Sequence, residues 1–465
     1  MVDFNNFRLW LAENTSYTRK TIGNTVSRFK RADSILPWRD EKVYFFELEQ
    51  NPEYLSLKGD VKSQIKKALN LYAEYYHSQQ ELKVIGSGDN MKALSLFANI
   101  GVAEAYLKEL GIDVVLANEF VERRAILYSK IYPHTHMICG DIMNEKIFQE
   151  ILGEAIANNV DIIMATPPCQ GMSTAGPQQL DDERNKLIIP VIRMIKVIKP
   201  KYVFLENVPL FYNTSIKIDD KEILIKELID QELNGDYIIH KNVIDTKYYS
   251  VPQTRERAVV LMTKKGENRE WIIPQKDEKI VTMQDAIGDI PCLDPFISDV
   301  NEDELLKIFP HFKERKETAK KISHWHNPPH HIKRQVIAMQ HTPTGCTAFD
   351  NPIYYPIKEN GDAVKGYRNT YKRQNWDTPA YTVTMDNRKI SSQNNVHPGR
   401  LEYIDENGDN IYSDARTLTL YELMKVMSIP ENWPVPKDTS EAFLRRIIGE
   451  GIPPLFVKKV FEMIV

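Results

Sequence analysis

A cysteine, a glutamate and two arginines in this chain stand where apolar runs give way to turns, and together they have the makings of nucleophilic addition under proton control. Cys169 follows the apolar run Ile162, Ile163, Met164, which is cut by Pro167-Pro168. Each proline lacks an N–H and fixes its own φ, so the run continues neither as helix nor as ladder, and the chain must turn. The thiol is thereby set at the carboxyl end of a strand, the edge of open α/β sheets where ligands bind. A thiolate is intrinsically nucleophilic, and a useful fraction is ionised near neutral pH. Glu206 ends a second apolar strand, with Asn207 beside it. Arg255 and Arg257 lie two apart just before a β-branched strand, so both can point the same way. A lone cysteine is ordinarily a small buried hydrophobe, and such arginines could simply pair with Glu256 or another acid. Thiol, carboxyl and cations gathered at strand ends make a reactive set.

Those strand ends need a sheet, and residues 92–120 read as its first part: strand, tight turn, amphipathic helix, strand. Val102, Ala105, Tyr106 and Leu110 recur at helical spacing, and Val114, Val115 and Leu116 lead to the acid Glu119. This is a βαβ nucleotide-binding half, in which such an acid hydrogen-bonds a ribose diol. An NAD-dependent oxidoreductase shares that pattern. The turn lacks a full G-x-G-x-x-G, however, and a dehydrogenase gives no reason for the cysteine loop.

Three short motifs in order, Pro168-Cys169-Gln170, Glu206-Asn207-Val208 and Gln253-x-Arg255-x-Arg257, resemble those of the DNA (cytosine-5)-methyltransferase family, of the prokaryotic restriction-modification type. The resemblance covers roughly residues 91–261 and 416–465. It implies an α/β fold: a Rossmann-like S-adenosylmethionine-dependent methyltransferase core with a separate target-recognition domain, here joined to a small helical N-terminal domain. Carbon 5 of cytosine is a poor nucleophile until a thiolate adds at carbon 6. The resemblance gives that addition to Cys169, relief of charge at ring nitrogen 3 to Glu206, and the base's carbonyl oxygen to Arg257 with Arg255 as its partner. It assigns Phe97 and Gly101 to the S-adenosylmethionine turn, Glu119 to the ribose, Asp141 to the adenine amine, and Pro168 and Gly451 to the pocket border.

Ser95 stands where the family usually has an acid, and Asn99 where it usually has glycine. Asparagine tolerates positive φ, so the turn remains feasible. Glu450, in Gly449-Glu450-Gly451, replaces an asparagine. It would either attract the sulfonium of the donor or point to solvent.

At 465 residues the chain exceeds one core. The expected division is a helical domain at 1–85, the catalytic core at 90–270, target recognition at 271–415, and a segment at 416–465 returning to the core. Cys139, Cys169, Cys292 and Cys346 are widely spaced, which indicates neither a zinc site nor a disulfide scaffold. Thiol chemistry implies a reducing cytoplasm, and no apolar run of about 18 residues suggests a membrane span. A net charge of −4 obliges a DNA enzyme to concentrate its positive charge locally. Residues 313–334 do so, interleaving lysines and arginines with His324, Trp325, His326, His330 and His331, for which phosphate contact is the favoured reading over a solvated face. No cysteine or carboxylate completes a tetrahedral set among those histidines, so no metal is expected.

Residues 271–415 are rich in turn signals. Within them, residues 376–387 resemble the family's recognition motif, with Thr382-Val383 at the matching positions and an alternation that suits a strand. Tyr367, Arg368, Lys372 and Arg373 are candidate phosphate or base contacts. Double-stranded DNA is the implied partner, with a cognate restriction endonuclease acting beside it. The target base must leave the stack, and the resemblance implies that the loop from Gln170 to Asn185 closes over it, with Ser173, Gln178 and Gln179 near the DNA and Gln253 contributing. Thr419 and Glu422 form a capping box opening a helix. In residues 1–85, Ile22, Val26 and Phe29 mark one amphipathic helix, and Val61, Ile65, Leu69, Tyr72 and Tyr76 another. This domain either grips flanking DNA or serves packing or protein contact. An RNA-directed relative and an inactive DNA-binding relative are the remaining functional classes. The missing Cys-Phe-Thr after Glu206-Asn207-Val208 argues against the first, and retention of Cys169, Glu206 and both arginines against the second.

Overall fold

A computed structural model describes residues 4–15, 17–39, 43–85, 90–168, 183–218 and 221–465, in two compact units, Met1–Asp89 and Asn90–Val465. The Gly86-Ser87-Gly88 linker lies outside the described residues.

The first unit is helical: α1 (Phe4–Asn14), α2 (Arg19–Ile35), α3 (Val43–Gln50), α4 (Pro52–Leu55) and α5 (Gly59–Ile85). Thr18 caps α2 by accepting from the Thr21 amide. Ile22, Val26, Phe29 and Ala32 form its buried face, packed with Ile65, Leu69 and Tyr72 of α5. Phe29 and Tyr72 stack with ring centroids 4.0 Å apart. The apolar spacing in the sequence is thus the packing seam.

The second unit is organised by a seven-stranded sheet. Its strands are β1 (Met91–Leu96), β2 (Ile112–Glu119), β3 (His136–Cys139), β4 (Ile162–Ala165), β5 (Tyr202–Asn207), β6 (Tyr237–Asp245) and β7 (Glu256–Lys264). Their order is β3-β2-β1-β4-β5-β7-β6, parallel except where β7 runs antiparallel between β5 and β6. β4 and β5 are buried along their whole length, as a sheet covered on both faces requires. Helices α6 (Glu122–Ile131), α7 (Glu145–Ala157), α8 (Ile188–Ile198) and α9 (Ile225–Leu233) follow the strands, and α7, α8 and α9 bury Phe148, Ile192 and Ile229 in one core cluster with β4 and β5. The order reverses between β1 and β4, and at such a switch point the crevice beyond the strand ends is the expected ligand site.

Between β7 and the C-terminal helices lie α10 (Met283–Ile287), α11 (Glu302–Ile308), α12 (Phe312–Ile322) and α13 (Lys333–Gln340), short elements joined by irregular chain around a separate apolar cluster that includes Phe312, Val336, Met339 and Val396. Then come α14 (Leu420–Val426), α15 (Glu441–Glu450) and α16 (Pro454–Phe461). Thr419 and Glu422 make the capping box, and Phe456, Val460 and Phe461 of α16 pack in one cluster with Met164, Phe204, Leu261 and Trp271. No helix among the described residues is long and apolar enough to cross a membrane.

The structure departs from the sequence reading in several places. Residues 102–110 are turns ending in a 3₁₀ segment, Leu107–Leu110, rather than an α-helix. Glu104 is drawn inward to a 2.6 Å bond from Ser95 Oγ, and Gly111 ends the segment at φ 71°. Residues 376–387 form no strand; Ala380 makes a single bridge to Gln253.

The basic stretch 313–334 is largely neutralised in place. Lys313 pairs with Glu302, Arg315 with Asp294 and Glu402, Lys320 with Glu317, and Lys333 with Glu304. Two of its histidines are buried structural groups: His326 Nδ1 lies 2.9 Å from Thr419 Oγ1, and His331 Nε2 accepts from the Thr417 amide at 3.1 Å.

Arg373, expected on DNA, has no exposed surface. Its guanidinium donates to the carbonyls of Met339, His397 and Asp414, so it is a structural cation. At the same centre Arg416, also fully buried, pairs with Asp414 at 2.6 Å and Glu422 at 2.8 Å.

Candidate active site

Glu206 is the penultimate residue of β5, buried at the carboxyl edge of the sheet. Arg257, at the start of β7, lies alongside because β7 pairs antiparallel with β5. Its Nε is 2.7 Å from Glu206 Oε1. Burial pushes the Glu206 carboxyl above its ordinary range, and Arg257 and Arg255 pull it partly back. The net result is a carboxyl that holds its proton more readily than an ordinary glutamate. Next to it, Asn207 Nδ2 donates 3.0 Å to the Pro167 carbonyl, fixing the chain just before Pro168, which is half-buried. Cys169, Gln170, Ser173, Gln178 and Gln179 lie outside the described residues. The chain that leads into Cys169 is nevertheless tied to the residue after Glu206.

Arg255, the expected partner of Arg257, acts on Glu206 through its charge and has contacts of its own. It is buried, donating to the carbonyls of Val383 and Gly449, both at 2.9 Å. Gln253 is likewise buried; its Oε1 accepts from the Val383 amide at 3.0 Å and its Nε2 lies 2.9 Å from Met427 Sδ. Val383 is buried too. Through these contacts Gln253 and Arg255 hold residues 380–384 beside the catalytic motif. The backbone adds bonds between Pro252 and Ala380 and between Thr254 and Ala380. Thr382 is exposed, with its hydroxyl donating to the Thr254 carbonyl. Arg368 is 71% exposed at its side chain and pairs with Asp350, beside Tyr367 at 80%.

At the ends of β1 and β2 the backbone folds into a compact turn. Phe97, Asn99 and Gly101 all have positive φ, at 58°, 53° and 80°. Such angles are costly for phenylalanine and persist only where neighbours enforce them. Here Thr166 Oγ1 donates to the Phe97 carbonyl, and the Asn99 amide donates 2.9 Å to Glu119 Oε2. The other oxygen of Glu119 accepts from the Val121 amide. Asn99 therefore takes the left-handed conformation that glycine would. Asp141 is exposed beyond β3, and Phe120 presents an aromatic ring 68% exposed directly after Glu119. The sequence reading missed Phe120; its signal was an aromatic immediately after a strand-ending acid.

Gly101 has no room for a side chain. A Cβ there would fall 2.1 Å from Tyr132 Cε2, at a φ that disfavours any L side chain. Gly101→Ala is therefore expected to cost on the order of 1–3 kcal/mol, read as a lower thermal midpoint.

Glu450 neither faces solvent nor stands alone: Arg124 Nη2 is 2.8 Å from one of its oxygens, with Arg446 farther off at 3.7 Å. Gly451 brings its backbone against Val102, so this segment borders the turn. Among the described residues, no three His, Cys, Asp or Glu side chains are grouped to hold a metal ion.

The sheet order, the strand-end carboxyl and guanidinium, and the acid-braced turn beside them define an α/β enzyme of the methyltransferase class. A family model for C-5 cytosine-specific DNA methylases matches residues 91–465. The chain belongs to that family and is a cytosine-5 DNA methyltransferase. It is similar to the Type II methyltransferase M1.HgaI of Avibacterium volantium, 42% identical over 376 residues, 80% of this chain and 97% of that protein. The Type II methyltransferase M.NgoPII of Neisseria gonorrhoeae is 23% identical over 78% of this chain and 92% of its own. Two solved structures share the fold: the methyltransferase EhMeth of Entamoeba histolytica, with TM-score 0.50, 15% identity, and 81% of this chain and 98% of its own covered, and a prophage-encoded protein of E. coli, with TM-score 0.52, 17% identity, and 80% and 98% covered.

Proposed function

We propose that this enzyme methylates carbon 5 of a flipped cytosine in a short duplex sequence, using S-adenosylmethionine, through a covalent adduct with Cys169. The observation that carries the reading is the buried Glu206–Arg257 pair, one residue from the bond that ties Asn207 to Pro167. In this scheme the Cys169 thiolate attacks carbon 6 of the base while Glu206 delivers a proton to ring nitrogen 3. The electron pair displaced toward carbon 5 then forms the bond to the methyl group. With the electron pair of the broken bond to methyl left on the donor's sulfur, loss of the carbon 5 proton to water re-forms the carbon 5–carbon 6 double bond and expels the thiolate, and ring nitrogen 3 returns its proton to Glu206. Arg257 steadies Glu206 and supplies positive charge beside the base's carbonyl oxygen.

The donor's fit rests on the turn and its acid. Each Glu119 oxygen accepts one backbone amide, and an ionised carboxylate has about four acceptor positions, leaving capacity for two ribose hydroxyls. Phe120 offers a face for the adenine and Asp141 an acceptor for its amine. When bound, the donor supplies an electrophilic methyl group on sulfur.

Thr382, Arg368 and Tyr367 are the proposed exposed contacts with DNA, and Gln170 and Ser173 the proposed contacts from the cysteine loop. The likeness to Type II methyltransferases supports a role in host protection beside a cognate restriction endonuclease in a prokaryotic cytoplasm. Bisulfite sequencing of plasmid DNA from cells expressing the wild type or Cys169→Ala tests the whole reading. Methylated cytosines confined to one short motif and absent with the variant are expected, and blank DNA in both, with soluble protein present, would overturn it. For Glu206→Gln, which keeps an acceptor for Arg257 but cannot exchange the proton, the turnover rate should fall by roughly 10²–10⁴-fold with DNA binding retained.

A further inference from the structure

The unit Met1–Asp89 lies outside the stretch that the methylase family model matches, and α2 carries a surface that its own packing does not explain. Its buried face is Ile22, Val26, Phe29 and Ala32. Two residues before each of the first three, on the opposite side at 100° per residue, come Lys20, Asn24 and Ser27, and the line continues through Arg31 and Ser34. All five are exposed. The line runs roughly 21 Å along the helix and contains two cations, three small polar side chains and no acid; the last of these, Ser34, already donates its hydroxyl to the Arg31 carbonyl. Arg19 and Lys30 flank it, also exposed. The one acid in α2, Asp33, is engaged by the Trp38 amide.

Solvated helix faces normally mix both signs of charge. The exposed side of α7 does so, with Glu145, Lys146 and Glu150. In 313–334, Lys313, Arg315, Lys320 and Lys333 likewise have carboxylates beside them. No described carboxylate pairs with Arg19, Lys20 or Arg31. Two of these cations sit in the first turn of α2, which holds no acid, although the helix dipole disfavours positive charge there. In a chain of net charge −4, this is a concentration of positive charge that no described carboxylate offsets. Lys, Arg, Ser and Asn are the side chains that hydrogen-bond phosphate oxygens, and the enzyme's substrate class already supplies a phosphate polymer.

We infer that the Lys20–Asn24–Ser27–Arg31 face of α2 binds the phosphate backbone of duplex DNA, adding sequence-independent affinity to the methyltransferase unit. The test uses the full chain carrying Arg19→Gln, Lys20→Gln and Arg31→Gln, with binding to a duplex read by fluorescence anisotropy over a salt series. Each cation withdrawn from a phosphate flattens the slope of log K against log salt by about 0.9. The expected result is a slope shallower by about 2–3 and affinity at least about tenfold lower at 0.1 M salt, with helical circular dichroism and methylation at saturating DNA retained. A matched variant, Lys58→Gln, Lys66→Gln and Lys67→Gln, removes the same charge from outside α2 and should bind nearly as wild type. A wild-type slope in the α2 variant, or equal weakening in both variants, would overturn the inference. Binding is measured without turnover, so the result stands apart from whether the proposed methylation chemistry is correct.

Discussion

Cys169→Ala should leave no measurable methyl transfer while the protein still binds DNA. Without addition at carbon 6, carbon 5 of cytosine lacks the electron density to attack a methyl group, and nothing else in the site substitutes for the thiolate. Glu206 and Arg257 would remain paired, the turn at Phe97–Gly101 would remain braced by Glu119, and Asn207 would still hold Pro167. The loss therefore belongs to the chemical step and not to the fold. A duplex bearing 5-fluorocytosine at the target position sharpens the result. Fluorine cannot leave as a cation, so the wild type should form an adduct with such DNA that survives denaturing electrophoresis, and the alanine variant should form none. An alanine variant that still methylates would exclude Cys169 as the nucleophile and with it the covalent scheme.

The strand-end carboxyl and guanidinium of this protein were more legible in the sequence than the contacts that support them. Glu206 and Arg257 lie at adjoining strand ends as their motifs implied, because apolar strands of β period leave little freedom at their ends. The roles of Arg255 and Gln253 were not legible. A short motif records residue types, whereas the partners of these two, the carbonyls of Val383 and Gly449 and the amide of Val383, come from segments more than a hundred residues away. The amphipathic spacing at 102–110 misled for a similar reason. Of Val102, Ala105, Tyr106 and Leu110 only Val102 is buried and the other three are half-buried, while the inward pull on Glu104 toward Ser95 is a tertiary bond that tightens the backbone. Arg373 looked like a DNA contact because arginine beside aromatic and polar residues reads as surface. Only the fold reveals the three carbonyls it satisfies.

Replacing Arg416 by methionine should cost about 3–5 kcal/mol at neutral pH, because it strands Asp414 and Glu422 without their cation. Glu422 is wholly buried and Asp414 nearly so. Burial by itself would raise the Glu422 carboxyl, yet Arg416 and then His397 bring it down to about 2. In the wild type, a group so lowered stabilises the fold above its unfolded value near 4.5 and loses that contribution as pH falls toward 2. His326 and His397 act in the same direction at higher pH. Burial lowers both to about 4, so the unfolded chain takes up their protons first, and stability drains as pH falls from about 6.5 to about 4. The variant should behave differently at the carboxylates. With the guanidinium gone, burial dominates, and protonation of Glu422 relieves the stranded charge. The gap between wild type and Arg416→Met should therefore be widest near pH 7 and narrow as the pH approaches 4, in urea unfolding followed by tryptophan fluorescence, to which the second unit contributes four of the six tryptophans, Trp271, Trp325, Trp376 and Trp433. A gap that stayed constant over this range would mean that Arg416 contributes packing and not charge, and that the buried centre at Asp414 and Glu422 is held by its remaining hydrogen bonds.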